Sequence, residues 1–104
     1  TFQWHGDTFQ PPPGSQQIAS SAYCANQAFV LRDRHLLLQS HLEMTPELVE
    51  LSLARNGEQL RRQFALGNPA VSDPADASNN LEARTAGMST VLLRLYARWV
   101  RHCA

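Results

Sequence analysis

The stretch LLLQSHLEMTPE, residues 36–47, marks the point where the chain changes character. Three consecutive leucines predict a strand buried on both faces, and we expect that strand to cover residues 35–41. A helix start follows at once in Thr45-Pro46-Glu47, because a hydroxyl suits the N-cap, proline the first helical position and an acid the first turn. The sequence therefore predicts an α/β fold in which strands (residues 1–44) give way to helices.

The region before this stretch has the patterns of antiparallel strands separated by turns. We expect a stiff loop in PPPGS, turning at Gly14, and a further loop in YCANQ. A two-residue turn at Asp33-Arg34 is expected to lead into the strand of residues 35–41. The predicted strands before that turn are residues 1–9, 16–21 and 27–33.

The region after residue 45 predicts helices over residues 45–66, interrupted by a stop signal at Asn56-Gly57. Residues 67–80, with two prolines, predict a polar linker. Residues 81–103 predict a terminal helix, because apolar residues recur there at the helical period. We expect that apolar stripe to be core and the arginines beside it to form a solvated face rather than a phosphate site.

Composition excludes several classes of function. The chain has 104 residues, enough for one small domain. Nine basic residues balance nine acidic ones, which gives no electrostatic case for a nucleic-acid partner or an anionic membrane surface. No apolar run is long enough for a membrane helix, and no signal peptide is visible. With two cysteines and no secretory feature, we expect a cytoplasmic protein.

His41 and Glu43 form the first candidate site. On an extended strand, residues two apart point to the same side. A carboxylate beside a histidine can accept a hydrogen bond from one ring nitrogen, which leaves the other nitrogen free to act as a base. The pair therefore has the chemistry of a base and its orienting group, at a strand end where α/β sheets expose working side chains.

The second candidate site is the run Trp4, His5, Gly6 and Asp7. Its glycine would let a ligand or another backbone come close. The competing interpretation is structural: a strand with a glycine kink, whose Trp4 packs in the core and whose His5 and Asp7 cap the bend.

Three motifs taken together, FQWHGDTFQ, ASSAYCANQAF and LLLQSHLEMTPE, resemble the class I glutamine amidotransferases. The resemblance is to the bacterial stand-alone branch similar to the amidotransferase domain of GMP synthase. It covers most of residues 1–56 and, more loosely, the terminal helix. It implies that residues 1–104 are the C-terminal half of a single flavodoxin-like amidotransferase domain.

The resemblance also implies a reaction, the hydrolysis of glutamine to glutamate and ammonia by a Cys–His–Glu triad without a cofactor or metal. His41 would be the triad histidine and Glu43 its orienter. Trp4, His5, Gly6 and Asp7 would border the glutamine pocket. The family pattern has an aromatic residue before the triad histidine, where this chain has Ser40.

The nucleophile is the main departure from the family. Its G-x-C-x-G elbow does not occur in this sequence, and neither Cys24 nor Cys103 has the strand–elbow–helix context of an activated thiol. Because the chain starts at Thr1 with what resembles the inside of a domain, we expect a truncated or processed piece that is inactive alone. We also expect it to associate with the missing N-terminal half or with another copy. A synthetase domain or subunit would receive the ammonia.

Two other functions stay open at this point. One is a non-catalytic binding or scaffold module that retains the amidotransferase fold with an idle triad remnant. The other is a metal site, since the chain has suitable ligand types in His5, Asp7, His35, His41 and Glu43.

Overall fold

The computed structural model describes residues 2–103, with side chains up to Arg101. The elements, in chain order, are β1 (Ser15–Ser21), β2 (Cys24–Leu31), β3 (His35–Leu38), α1 (Pro46–Ala65), α2 (Pro74–Ala77) and α3 (Leu81–Cys103). These elements belong to two compact units. The first comprises the described residues up to Leu42 and from Thr90 onward, and the second is Glu43–Ser89. The predicted order of strands followed by helices is confirmed.

The first unit contains a three-stranded antiparallel sheet in the order β1-β2-β3. Leu31 lies opposite Ser15 on one side and His35 on the other. Two register irregularities interrupt the β1–β2 pairing, between Gln17 and Ala19 and between Ala19 and Ser21. Because β2 is central, its residues Gln27, Ala28 and Phe29 are the buried part of the sheet.

Several strand boundaries differ from the prediction. β2 begins at Cys24, so most of the expected YCANQ loop belongs to the central strand. The central turn residues are Arg32-Asp33 rather than Asp33-Arg34, with φ of 53° and 52° and a hydrogen bond from Arg34 N to Leu31 O. Arg34 completes a three-residue connection, because Leu31 pairs with His35. Both central residues are therefore left-handed, which is the hairpin geometry that matches strand twist and usually takes Asn or Gly. The predicted turn at Gly14 is confirmed by its φ of 80°.

Two expected strands are shorter than predicted. Among the described residues of this predicted strand, 2–9, only Phe2 is paired, in an isolated bridge with His41, so the alternating pattern does not make a continuous strand there. β3 ends at Leu38, and the chain bends before it reaches His41. The leucines of β3 are half-buried or exposed rather than buried on both faces, because β3 is an edge strand and only β2 pairs with it.

The start of α1 follows the sequence signal. Thr45 is the N-cap, its Oγ1 accepts a bond from Leu48 N at 3.2 Å, and Pro46 opens the helix. The predicted stop at Asn56-Gly57 is wrong, since α1 continues to Ala65 and ends before Gly67, which has a φ of 73°. One glycine costs a helix only about 1 kcal/mol, which the turns on both sides of it offset.

The predicted linker, residues 67–80, contains the short helix α2. Asp73 caps it by accepting a bond from Ala75 N at 2.9 Å. The guanidinium of Arg84, in the second unit's part of α3, donates to the carbonyls of Asp76 and Asn79 at 2.8 and 3.2 Å. This exposed arginine therefore links α3 to the carbonyls at and just after the end of α2, where the Asp76 oxygen also accepts from Asn79 N.

The terminal helix has the predicted bounds, but its apolar stripe is not all core. Val91, Tyr96, Trp99 and Val100 keep between 41% and 63% of their surface exposed. Trp99 is anchored at one point, where its Nε1–H donates to the Arg34 carbonyl of the hairpin. The remaining apolar surface stays open because a three-stranded sheet offers a small area to pack against. None of the helices in the described part of the chain combines the length and the apolar character of a membrane span.

Candidate active site

His41 is held by its backbone against the start of the chain. Its N–H donates to Phe2 O at 2.8 Å, and the Phe2 N–H donates to His41 O at 3.1 Å. The rings also meet, with 6.4 Å between their centroids in an edge-on arrangement, and Phe2 stacks on Trp4 at 5.7 Å. The structure therefore brings His41 beside the beginning of the segment that carries the second candidate site.

The segment from Trp4 to Asp7 is a loop whose polar residues face outward. His5, Gly6 and Asp7 are exposed, whereas Trp4 is half-buried. The Nδ1 of His5 lies 2.8 Å from the carbonyl oxygen of Asp7, and because that oxygen can only accept, Nδ1 is the donor. A Cβ at Gly6 would meet nothing within 4 Å, so the backbone there is open to approach. The expectation that His5 helps to cap the bend fits this geometry.

Two side-chain amides fix the far end of this segment. Gln39 donates from Nε2 to the Asp7 carbonyl at 3.0 Å, and Asn26 donates from Nδ2 to the Phe9 carbonyl at 3.0 Å. The ring of Phe9 packs edge-on against the buried Phe29, with 5.3 Å between centroids. Sequence reasoning missed both amides, although Gln39 lies two residues before His41 and Asn26 lies within the YCANQ motif.

Cys24 belongs to the same network. Its thiol donates to Oε1 of Gln39 at 3.2 Å and lies 3.6 Å from the Thr8 hydroxyl. It is half-buried and occupies the first position of the central strand rather than an elbow before a helix. The side chain of Cys103 lies outside the described residues.

His41 and Glu43 fall in different compact units. The half-buried His41 belongs to the first unit, and the exposed Glu43 opens the second. Both lie beyond the end of β3 at Leu38, so the continuous strand on which their shared face was predicted does not extend to them. Their role as base and orienter stays a prediction.

The possible metal ligands do not converge among the side chains that the structure describes. Over that part of the chain, no group of three or more His, Cys, Asp or Glu side chains is placed to hold an ion. His35 is exposed at the start of β3, and its Nδ1 and Nε2 join no such group.

Comparison with known proteins identifies a solved structure with this fold. No protein-family model and no curated protein matches the sequence. The crystal structure of a glutamine amidotransferase from Methylobacillus flagellatus matches 96% of the chain, with a TM-score of 0.85 and 34% sequence identity. The match covers 41% of that protein, so the present chain spans less than half of its length. The chain thus has the α/β fold of part of a glutamine amidotransferase.

Proposed function

We propose that the chain is the C-terminal half of a class I glutamine amidotransferase domain of the GMP synthase-like branch. The observation that carries the proposal is the 34% identity, over 96% of the chain, with a solved glutamine amidotransferase. The three motifs within residues 1–47 add support, because their order and spacing in the sequence resemble those of the family. The complete protein would hydrolyse glutamine to glutamate and ammonia.

In this proposal the reaction begins on a cysteine outside the chain. Its thiolate attacks the side-chain amide carbon of glutamine, and ammonia leaves as a thioester forms. His41 would hold the thiolate and pass a proton to the departing ammonia, and Glu43 would orient the imidazole. Water then releases glutamate from the thioester. The segment from Trp4 to Asp7 would border the pocket for the amino-acid end of glutamine.

The test is glutamine hydrolysis by the complete protein that contains this chain. His41→Ala is expected to lower kcat by about 10²–10⁴-fold, the usual contribution of a positioned acid–base group, and Glu43→Gln by a smaller factor. His35→Ala is the matched control, since this exposed histidine of β3 has no role in the proposal. Unchanged activity in His41→Ala would favour the alternative, a non-catalytic binding or scaffold module. That result would overturn the proposed triad.

The exposed apolar surface of the first unit supports a further part of the proposal. Besides the exposed stripe of α3, Ile18 and Leu38 on the two edge strands are 47% and 38% exposed. Exposed apolar side chains and unpaired strand edges favour association. We expect the rest of the amidotransferase domain to cover them and, in its absence, a second copy of the chain.

The expected association and the expected lack of glutaminase activity can both be measured on the 104-residue chain alone. Sedimentation is expected to show a mass above that of the 11.6 kDa monomer, and glutamine is expected to remain intact. A stable monomer would contradict the association, and glutamine turnover would contradict the assignment of the nucleophile to sequence outside this chain. The acceptor of the ammonia, a synthetase domain or subunit, and a cytoplasmic location are further parts of the proposal.

A further inference from the structure

The segment that carries Trp4 to Asp7 is held by hydrogen bonds at its two ends within the first unit. At its beginning, Phe2 and His41 exchange two backbone hydrogen bonds. At its end, the carbonyls of Asp7 and Phe9 accept bonds from the side chains of Gln39 and Asn26. Between these points no strand among the described residues pairs with the segment, so the two points of attachment contribute to its path.

The orientation of the Gln39 amide is set by its neighbours. Its Oε1 accepts from the Thr8 hydroxyl at 3.1 Å and from the Cys24 thiol at 3.2 Å. The Thr8 hydroxyl and the Cys24 thiol can each donate or accept, whereas the Asp7 carbonyl can only accept, so the amide nitrogen must face Asp7. With the Nε2 at 3.0 Å from the Asp7 oxygen, all three contacts are satisfied by one amide orientation. Gln39 is therefore built into a fixed position.

The sequence position of Gln39 links its hydrogen bond to the Asp7 carbonyl with the position of His41. Gln39 N donates to Gln27 O at 2.9 Å, which ties its backbone to the buried central strand. His41 follows two residues later and pairs with Phe2. The same short stretch of backbone thus places both His41 and the far end of the segment.

We infer that Gln39 is a positioning residue for glutamine binding: its amide holds the segment from Trp4 to Asp7 in the geometry that the amino-acid end of glutamine requires. The inference rests on the proposed function. It assigns Gln39 no contact with the reacting atoms, because its amide is occupied by Asp7, Thr8 and Cys24. Loss of the amide is therefore expected to weaken substrate binding while the chemical step remains.

The experiment compares three variants of the complete protein. Gln39→Leu removes all polar contacts at similar size. Gln39→Glu keeps the acceptor for Thr8 and Cys24 but replaces the donor to Asp7 with a carboxylate oxygen, so it remains informative if the leucine variant does not fold. Gln16→Leu is the matched control, because Gln16 lies exposed on β1 and its side chain makes no hydrogen bond with the residues that the structure describes.

Two readouts are needed, the steady-state constants for glutamine and amide hydrogen exchange of the peptide covering residues 2–9. Both Gln39 variants are expected to raise KM about fivefold, the equivalent of one lost hydrogen bond, with kcat within about twofold of wild type. Exchange in residues 2–9 is expected to become faster in both, and to stay at the wild-type rate in Gln16→Leu.

The outcomes distinguish a failure of the inference about Gln39 from a failure of the proposed function. A wild-type protein that does not hydrolyse glutamine overturns the proposed function and the substrate-binding role with it. An active wild type whose Gln39 variants keep a normal KM, or lose only kcat, overturns the inference alone. Unchanged exchange in residues 2–9 would show that the amide does not hold the segment.

Discussion

Gly57 lies in the middle of α1, where a helix former would be expected, and Gly57→Ala tests whether that helix is continuous. A glycine inside a helix costs about 0.8–1.0 kcal/mol relative to alanine, because it loses more backbone entropy on folding. A Cβ built at Gly57 would lie 3.3 Å from Nη1 of Arg61, and the three nearest atoms outside the helix backbone all belong to that side chain. The main obstacle to the substitution is therefore the end of a flexible side chain.

The cost of moving Arg61 is small. Its guanidinium is paired with Glu58 at 3.0 Å, with the two side chains 61% and 86% exposed. Exposed pairs of this spacing contribute a few tenths of a kcal/mol, and the guanidinium needs to shift by only a fraction of an ångström. We therefore expect Gly57→Ala to raise the free energy of unfolding by about 0.5–1 kcal/mol.

Urea denaturation followed by circular dichroism measures the change, at a fixed protein concentration because association would shift the transition. Gly87→Ala is the matched control, since Gly87 lies in α3 within the same compact unit and a Cβ there would meet nothing within 4 Å. It should give the full propensity gain of about 1 kcal/mol. When Arg61→Ala is added, the gain in the free energy of unfolding from Gly57→Ala should rise to that of Gly87→Ala. Destabilisation by Gly57→Ala in both backgrounds would refute a continuous helix at this position.

Other predictions concern the helix cap, the core and the α2 terminus. Thr45→Ala should cost about 1 kcal/mol in urea unfolding, since it removes the N-cap acceptor of α1. Separately from the cap, a hydrogen bond from the Thr45 side chain lowers the pKa of Glu47, so the stabilisation from that bond is present above the ordinary glutamate pKa and is lost as pH falls through the lowered one. An NMR titration should find the Glu47 pKa raised in Thr45→Ala, and an unmoved value would contradict the contact. Phe29→Ala should cost about 3–5 kcal/mol, because Phe29 is buried against Phe9, and a loss below about 1 kcal/mol would argue against that core. Arg84→Gln should speed amide exchange around α2, and unchanged exchange would show that the guanidinium does not stabilise that helix.

The signals that the sequence carried most clearly were local ones. The start of α1 at Thr45-Pro46 and the bounds of α3 are confirmed, because capping and helical periodicity depend on residues within a turn or two of one another. The turn at Gly14 is confirmed for the same reason. Gly57 and Gly67 carry the same local stop signal, yet only Gly67 ends the helix. The choice depends on whether the flanking turns continue to gain hydrogen bonds and packing.

The sequence by itself determined the order of strands and helices, the three motifs that resemble a glutamine amidotransferase, and the candidacy of His41. The tertiary structure decided which distant residues meet: the pairing of Phe2 with His41, and the fastening of Asp7 and Phe9 by Gln39 and Asn26. These contacts join residues 17 to 39 positions apart, so no local periodicity encodes them. They form because unpaired carbonyls of an irregular segment must find donors, and the nearest donors are side chains that only the folded sheet brings within reach.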